Sequence, residues 1–163
     1  MSLVNKLNKD VLRKTFIESM SQINSNGFEL LPENLPPYPW YFGGQWKGNY
    51  FMDADEIKSF CEKTGMNICF DLSHAALYCN AKNKSLSEYI KTVLPYTRHI
   101  HFADGYGLDG EGVQIGEGDI DFKKIMPLFE HYNETWVPEI WRGHLSEGKG
   151  FIKALSLLSE FDL

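Results

Sequence analysis

The stretch MNICFDLSHAALYCNAKNKSLSEYIKTVLPYTRHIHFA, residues 66–103, holds two short apolar segments separated by a connection long enough for a helix. Residues 66–71 and residues 98–103 are each predicted strands, because both are short, apolar and bounded by polar or turn-forming residues. Between them, Ser85 and Glu88 form a capping box, which predicts a helix that ends near Pro95. Strands joined through a helix pair in parallel, so the stretch predicts one βαβ unit.

The alternation of strands and helices continues on both sides of this unit. Upstream, residues 28–33 predict a strand, and Asp53 and Gly65 mark the start and end of the helix that follows. Downstream, residues 135–139 predict a fourth strand. The other predicted helices are residues 3–23, an amphipathic segment carrying Phe122, Ile125, Met126 and Phe129, and residues 147–160 around Phe151, Leu155 and Leu158.

We therefore predict a single α/β domain over residues 1–163. It consists of a leading helix in residues 1–26 and four βα units in residues 27–163, with parallel strands in sequential order and right-handed crossovers. A doubly wound sheet is the alternative architecture for such an alternation. The positions of the polar residues, described below, favour a segment of a barrel instead.

Composition narrows the classes of function. The formal net charge of -6 argues against a nucleic-acid partner, which would require a basic face. No apolar run approaches the roughly 20 residues that span a bilayer, so no membrane partner is predicted. Cys61, Cys69 and Cys79 are an odd number of cysteines without CxxC spacing, which favours reduced thiols and a cytoplasmic location.

Each predicted strand ends in a residue that can bind a cation. The C-terminal ends of parallel strands converge on one face of the fold, where ligands bind. Any one such residue could be a chance polar side chain, but four in corresponding positions predict a metal site. His99 shares a strand face with His101 but lies further from the strand end, which predicts a core histidine. The four predicted ligands are Glu33, Asp71, His101 and Glu139.

Several short motifs occur in a familiar order. They are Glu33-Asn34 after an apolar strand, Asp71-x-x-His74, His101-x-x-Asp104 followed by Gly116-Glu-Gly-Asp119, and Glu139 on the last strand. In this order and spacing the chain resembles the xylose-isomerase-like TIM barrel superfamily, which includes sugar phosphate isomerases and epimerases. The resemblance runs from about Gly27 to the C-terminus. It implies a (β/α) half-barrel equivalent to strands 5–8 of the complete barrel.

The resemblance also implies a site. The four strand-end residues would bind one divalent ion (manganese, magnesium, cobalt or zinc), and Glu33 and Glu139 would also act as the catalytic acid and base. His74 would contact a substrate hydroxyl, or else is simply a histidine at the start of a helix. The further expected substrate contacts are Asp104, Arg142 and Trp40. The alternative for these residues is a place in the core or on the solvated surface.

The predicted function is a divalent-metal-dependent isomerase or epimerase that acts on a small sugar, sugar phosphate or polyol through metal-stabilised enediolate chemistry. One alternative is a non-catalytic barrel remnant that serves as an interaction or assembly module. An apurinic endonuclease-like phosphodiesterase is disfavoured, because the Asp-x-His motif of that branch is absent before Gly116.

Four strands cannot close a barrel, which needs eight. The half-barrel therefore predicts that its inward-facing apolar residues are left uncovered, and these are Val137, Ile68 or Phe70, and Ala103. The predicted partners are therefore a second copy of the chain, giving a homodimer, or a missing N-terminal half-barrel, in addition to the small-molecule substrate.

Overall fold

The structure, a computed structural model, describes residues 8–41, 44–48 and 50–161. In this part of the chain, no helix is both long enough and apolar enough to cross a membrane. Short 3-10 segments follow three of the helices, at Leu94–Tyr96, Met126–Phe129 and Ser159–Phe161. The helices are α1 (Lys9–Gln22), α2 (Ala54–Thr64), α3 (Leu72–Lys82), α4 (Leu86–Val93), α5 (Phe122–Ile125) and α6 (Leu145–Leu158). The strands are β1 (Trp40–Tyr41), β2 (Gly44–Gln45), β3 (Ile68–Asp71), β4 (Thr97–Phe102), β5 (Asp104–Tyr106), β6 (Gly110–Val113) and β7 (Thr135–Pro138).

A parallel sheet in the order β3-β4-β7 forms the centre of the fold. Residues 28–33 join its free edge through one parallel bridge between Glu33 and Cys69, where the Cys69 amide donates to the Pro32 carbonyl over 3.1 Å. This segment is a single bridge rather than the predicted regular strand, since Pro32 has no N–H to extend a ladder. The predicted parallel, sequential order of a partial barrel is confirmed.

The two faces of the sheet differ in chemistry. Phe70, Ile100 and Phe102 are fully buried under the helices on one face. Phe70 stacks on Tyr89 of α4, and Phe102 meets Phe129 edge-on at a centroid distance of 5.4 Å. Most of the apolar core therefore lies between the sheet and the helices, as in one wall of a barrel.

The opposite, inner face is mainly polar. Its aligned positions are Cys69, Asp71, His99, His101, Thr135 and Val137. Val137 is 41% exposed, as expected for an uncovered inner residue, but the prediction that Ile68, Phe70 and Ala103 lie uncovered is wrong, because all three are fully buried. The error for Ile68 and Phe70 is one of strand parity, since they alternate with Asp71 and face the helices.

The predicted ends of two helices are confirmed. The Asp53 side chain accepts from the Asp55 amide at the start of α2, and Gly65 ends α2 in a left-handed conformation with φ 71°. At α4, the Ser85 hydroxyl accepts from the Glu88 amide over 3.3 Å. Helix α3 was not predicted, because seven of its eleven residues are buried and its sequence shows no apolar stripe.

The leading helix is confirmed over Lys9–Gln22, with Asn8 as its N-cap, and the predicted residues 3–7 lie outside the described residues. The sequence predicts an apolar stripe in this helix, formed by Leu7, Val11, Leu12 and Phe16. Leu7 lies outside the described residues and Val11 is 58% exposed, but Phe16 contacts the core as predicted, together with Ile17 and Met20. In α6, Leu158 is buried as expected, whereas Leu155 is 45% exposed.

Asp53 offers a test of the packing between helices α2 and α3. Its carboxylate accepts from the Tyr78 hydroxyl over 2.6 Å and from the Lys84 ammonium, besides capping α2. Asp53→Ala should lower the free energy of unfolding by about 1–2 kcal/mol at pH 7, measured by urea denaturation. The control Asp55→Ala, an exposed carboxylate in the same helical turn, should cost clearly less.

The cost of Asp53→Ala should also depend on pH. Burial raises the pKa of Asp53, but hydrogen bonds from Lys84, Tyr78 and the Asp55 amide outweigh it and lower the pKa below its ordinary value. Because the pKa is lower in the folded state, the stabilisation is complete above the unfolded pKa of about 4 and is lost as pH falls through the folded value. An equal cost at acid and neutral pH would contradict this.

Candidate metal centre

The four predicted ligands come together at the C-terminal edge of the sheet. Asp71 ends β3 and aligns with His101 in β4, Glu139 follows β7, and Glu33 occupies the bridge at the sheet edge. One donor atom from each of the four lies within 4.8 Å of the others.

The imidazole of His101 lies at the centre of this group. Its Nδ1 is 2.6 Å from Glu139 Oε2, 3.3 Å from Glu33 Oε1 and 3.9 Å from Asp71 Oδ2. Nδ1 is buried without a hydrogen-bond partner of good geometry among the described residues. Contact with the Cys69 thiol and with the carboxylates of Glu139 and Glu33 raises the pKa of His101 well above its ordinary value. The three carboxylates that face this one buried nitrogen form a donor set that fits a shared cation, which would replace the proton on the imidazole.

Asp71 is held in a fixed orientation. Its Oδ1 accepts from the Ser73 hydroxyl over 2.8 Å and from the His74 amide over 2.7 Å, so it caps α3. Its Oδ2 is the oxygen that faces His101. Burial raises the pKa of Asp71 to about 6, although His74 and the hydrogen bonds to the carboxylate oppose this.

Asn34 connects the irregular first segment to β3. It is fully buried, and its amide donates to the Asp71 carbonyl over 2.9 Å while its oxygen accepts from the Asp71 amide over 2.7 Å. These two bonds position the neighbouring Glu33 beside Asp71. Asn34 is part of the Glu33-Asn34 motif in the sequence, but its hydrogen bonds to Asp71 join residues 37 positions apart, so no local pattern predicts them.

His74 lies beside the four ligands and contacts two of them. Its Nδ1 is 2.8 Å from the Asn34 carbonyl and 3.5 Å from Glu33 Oε1, and its Nε2 is 3.4 Å from Glu111 Oε2. Burial lowers the pKa of His74, but the charge of Asp71, together with Glu111, the Asn34 carbonyl and Glu33, raises it to about 9. This environment favours an imidazolium that donates from both nitrogens.

Glu111 was missed as a candidate. The glycine-rich segment after β4 forms a hairpin of β5 and β6, and this hairpin places Glu111 on the wall of the site. A carboxylate between Gly110 and Gly112 in a predicted loop has no periodicity that would indicate its direction. Only the antiparallel pairing of the two strands brings it to His74.

Asp104 has a structural role, which does not fit the expected substrate contact. Its carboxylate is fully buried and accepts four backbone bonds, from the amides of Gly105, Gly116, Gly118 and Ile120, over 2.8–3.0 Å. A Cβ at Gly118 would lie 2.3 Å from Asp104 Oδ1, so only glycine fits there. The Gly116-Glu-Gly118 motif thus wraps around a buried carboxylate.

A cavity of about 490 Å³ opens over the cluster. Of the other predicted contacts, His74 and Arg142 line it, whereas Trp40 does not and is 56% exposed on β1. An unpredicted tryptophan, Trp141, contributes to the wall instead. His99, expected in the core, is half-buried on the inner face, with Nδ1 2.7 Å from Thr135 Oγ1.

Comparison with known proteins agrees with this architecture. The family described as the xylose isomerase-like TIM barrel matches residues 3–161. This chain belongs to that family. Among curated protein sequences, none matches the chain significantly.

Several solved structures share the fold. The chain is similar to a D-tagatose 3-epimerase-like protein, with 18% identity and a TM-score of 0.69 over 99% of this chain and 58% of that one. It is also similar to 3-keto-D-glucoside 4-epimerase from E. coli, with 15% identity and a TM-score of 0.65 over 97% of this chain and 57% of that one. A xylose isomerase domain protein from Planctomyces limnophilus gives 19% identity and a TM-score of 0.62, over 93% and 53%. The chain thus spans between 53% and 58% of the length of these structures.

The role of Asp104 can be tested directly. Asp104→Asn places an NH₂ group against backbone N–H donors in a buried position, which should destabilise the fold by about 1–3 kcal/mol in urea denaturation. Asp109→Asn, in the loop of the same hairpin, is the control and should change stability little. An Asp104→Asn variant of unaltered stability would contradict the structural role.

Proposed function

We propose that Glu33, Asp71, His101 and Glu139 bind one divalent ion, and that the protein is an isomerase or epimerase of a small sugar, sugar phosphate or polyol. The observation that carries the proposal is the convergence of one donor atom from each residue within 4.8 Å, at the C-terminal edge of a parallel sheet. Family membership supports the class of reaction.

The charge of the cluster supports a cation. Three carboxylates surround one imidazole, so negative charge is in excess even when the imidazole is protonated, and a divalent ion would offset it. Oxygen donors with one imidazole suit manganese, magnesium, cobalt or zinc. His101 Nδ1 faces the three carboxylates and would bind the ion in place of its proton.

The chemistry requires a proton to leave the carbon beside a carbonyl and to return. A bound divalent ion would polarise that carbonyl and offset the negative charge on its oxygen. Glu33 lies in the segment at one edge of the sheet, and Glu139 follows the strand at the other edge. Glu33 Oε1 is 3.3 Å and Glu139 Oε2 is 2.6 Å from His101 Nδ1. In this proposal one of the two carboxylates takes the proton and the other returns it, and return on the opposite face of the substrate inverts the carbon.

Two further residues are suited to holding the substrate. The His74 imidazole lies between the cluster and Glu111, where it can donate to a substrate hydroxyl. Arg142 follows the last strand at the cavity wall and can bind a hydroxyl, carboxylate or phosphate. The cavity of about 490 Å³ is large enough for one small sugar.

The metal proposal predicts the behaviour of Glu139→Gln. Loss of one carboxylate charge should weaken manganese binding by at least about tenfold in calorimetric titration and abolish turnover on a panel of sugars and polyols. Glu134→Gln, which alters an exposed glutamate at the opposite end of β7, is the matched control. Equal manganese affinity in the two variants would contradict the assignment of Glu139.

We also propose that the inner face pairs with another half-barrel, either a second copy or an N-terminal half. The exposed Val137 and the free edges of the sheet support this, although the mainly polar inner face provides less apolar area than expected.

The three buried free cysteines support a reducing, cytoplasmic environment.

Self-association predicts a mass of at least twice 18.7 kDa for the isolated chain. Light scattering at micromolar concentration, coupled to size exclusion, measures it. A single species near 18.7 kDa would rule out the homodimer.

A further inference from the structure

Cys69 lies directly beneath the four-residue cluster. It precedes Asp71 by two positions on the same face of β3 and is only 6% exposed. Its sulfur forms a second possible ligand group with Glu33 and His101, in which the donor atoms also lie within 4.8 Å of one another. The two groups therefore share Glu33 and His101 and differ in their remaining donors.

We propose that Cys69 is itself a metal ligand, and that it forms with Glu33 and His101 a sulfur-containing site that overlaps the oxygen-rich one. The inference rests on the proposed function, since it places a cation in the same cluster. His101 would bind this cation in either group, since its imidazole belongs to both.

The two groups suit different ions. Asp71 and Glu139 add oxygen donors, which manganese and magnesium prefer. Cys69 adds a thiolate, which zinc and cobalt accept readily. On binding, the thiol gives its proton to the solvent and the sulfur forms the bond to the ion. The identity of the ion then decides whether Cys69 or the carboxylates of Asp71 and Glu139 complete the site.

Cys69 differs in this respect from Cys61 and Cys79. All three thiols are free and buried. Among the described residues, only Cys69 belongs to a group of donors that could hold an ion. Cys79, in the helix that follows β3, is therefore a matched control for the effect of replacing a buried thiol with a hydroxyl.

Cobalt(II) provides the test, because a cobalt–thiolate bond gives an intense near-ultraviolet charge-transfer band that oxygen and nitrogen ligands do not give. The full chain titrated with cobalt(II) should develop this band at one equivalent. Cys69→Ser should lose the band and bind zinc at least about tenfold more weakly, with little change in manganese affinity. Cys79→Ser should keep both the band and the zinc affinity.

The outcomes separate this inference from the proposed function. If cobalt binds with an affinity that depends on Glu139 but gives no charge-transfer band, the role of Cys69 is overturned and the four-residue site stands. The same conclusion follows if the band persists in Cys69→Ser. A chain that binds neither cobalt nor manganese overturns both. If Cys69→Ser fails to fold by circular dichroism, the spectrum of the unaltered chain and of Cys79→Ser still decides, since absence of the band in both overturns the proposal.

Discussion

The buried pair of hydrogen bonds between the Asn34 side chain and the backbone of Asp71 is the constraint on which the site depends. The segment that carries Glu33 makes only one sheet bridge, so strand pairing alone holds it weakly. The side-chain amide of Asn34 replaces part of the missing strand pairing, and the backbone carbonyl of Asn34 lies 2.8 Å from His74 Nδ1. One residue thereby sets the relative positions of Glu33, Asp71 and His74.

A division of the sheet into two chemically different faces organises the rest of the molecule. Phe70, Ile100 and Phe102 face the helices and supply apolar burial, the dominant favourable term in folding. The alternating positions carry Asp71, His101 and their polar neighbours towards the inner face. Because stability comes from the helix-covered side, the inner face is free to hold charged groups that would be costly inside an apolar core.

The loops at the C-terminal edge are built around buried carboxylates. Asp71 caps α3 with one oxygen and faces His101 with the other. Asp104 accepts from the Gly105 amide and from three amides of the turn after β6. Both residues are nearly or fully buried. Asp71 binds backbone amides and also faces the cluster, whereas Asp104 binds backbone amides alone, so two buried aspartates near the same edge of the sheet have different roles.

Much of the fold and the four-residue cluster could be predicted from the sequence, because those features depend on local chemistry. Strand ends, the caps at Asp53 and Ser85, and the order of βα units follow from short-range patterns. Helix α3 was missed because burial on all sides removes the periodicity from which helices are recognised.

Only the tertiary structure decided the features that depend on contacts between distant residues. The sequence by itself determined which residues stand at the ends of the strands, since that follows from local periodicity. The packing of the helices on one face of β3 determined that Phe70 is buried on that face. The β5–β6 hairpin brought Glu111 close to His74. The turn around Asp104 donates backbone hydrogen bonds to its carboxylate. Apart from the Gly105 amide beside Asp104, the partners of these side chains lie 12 or more residues away, and no local pattern encodes such pairings.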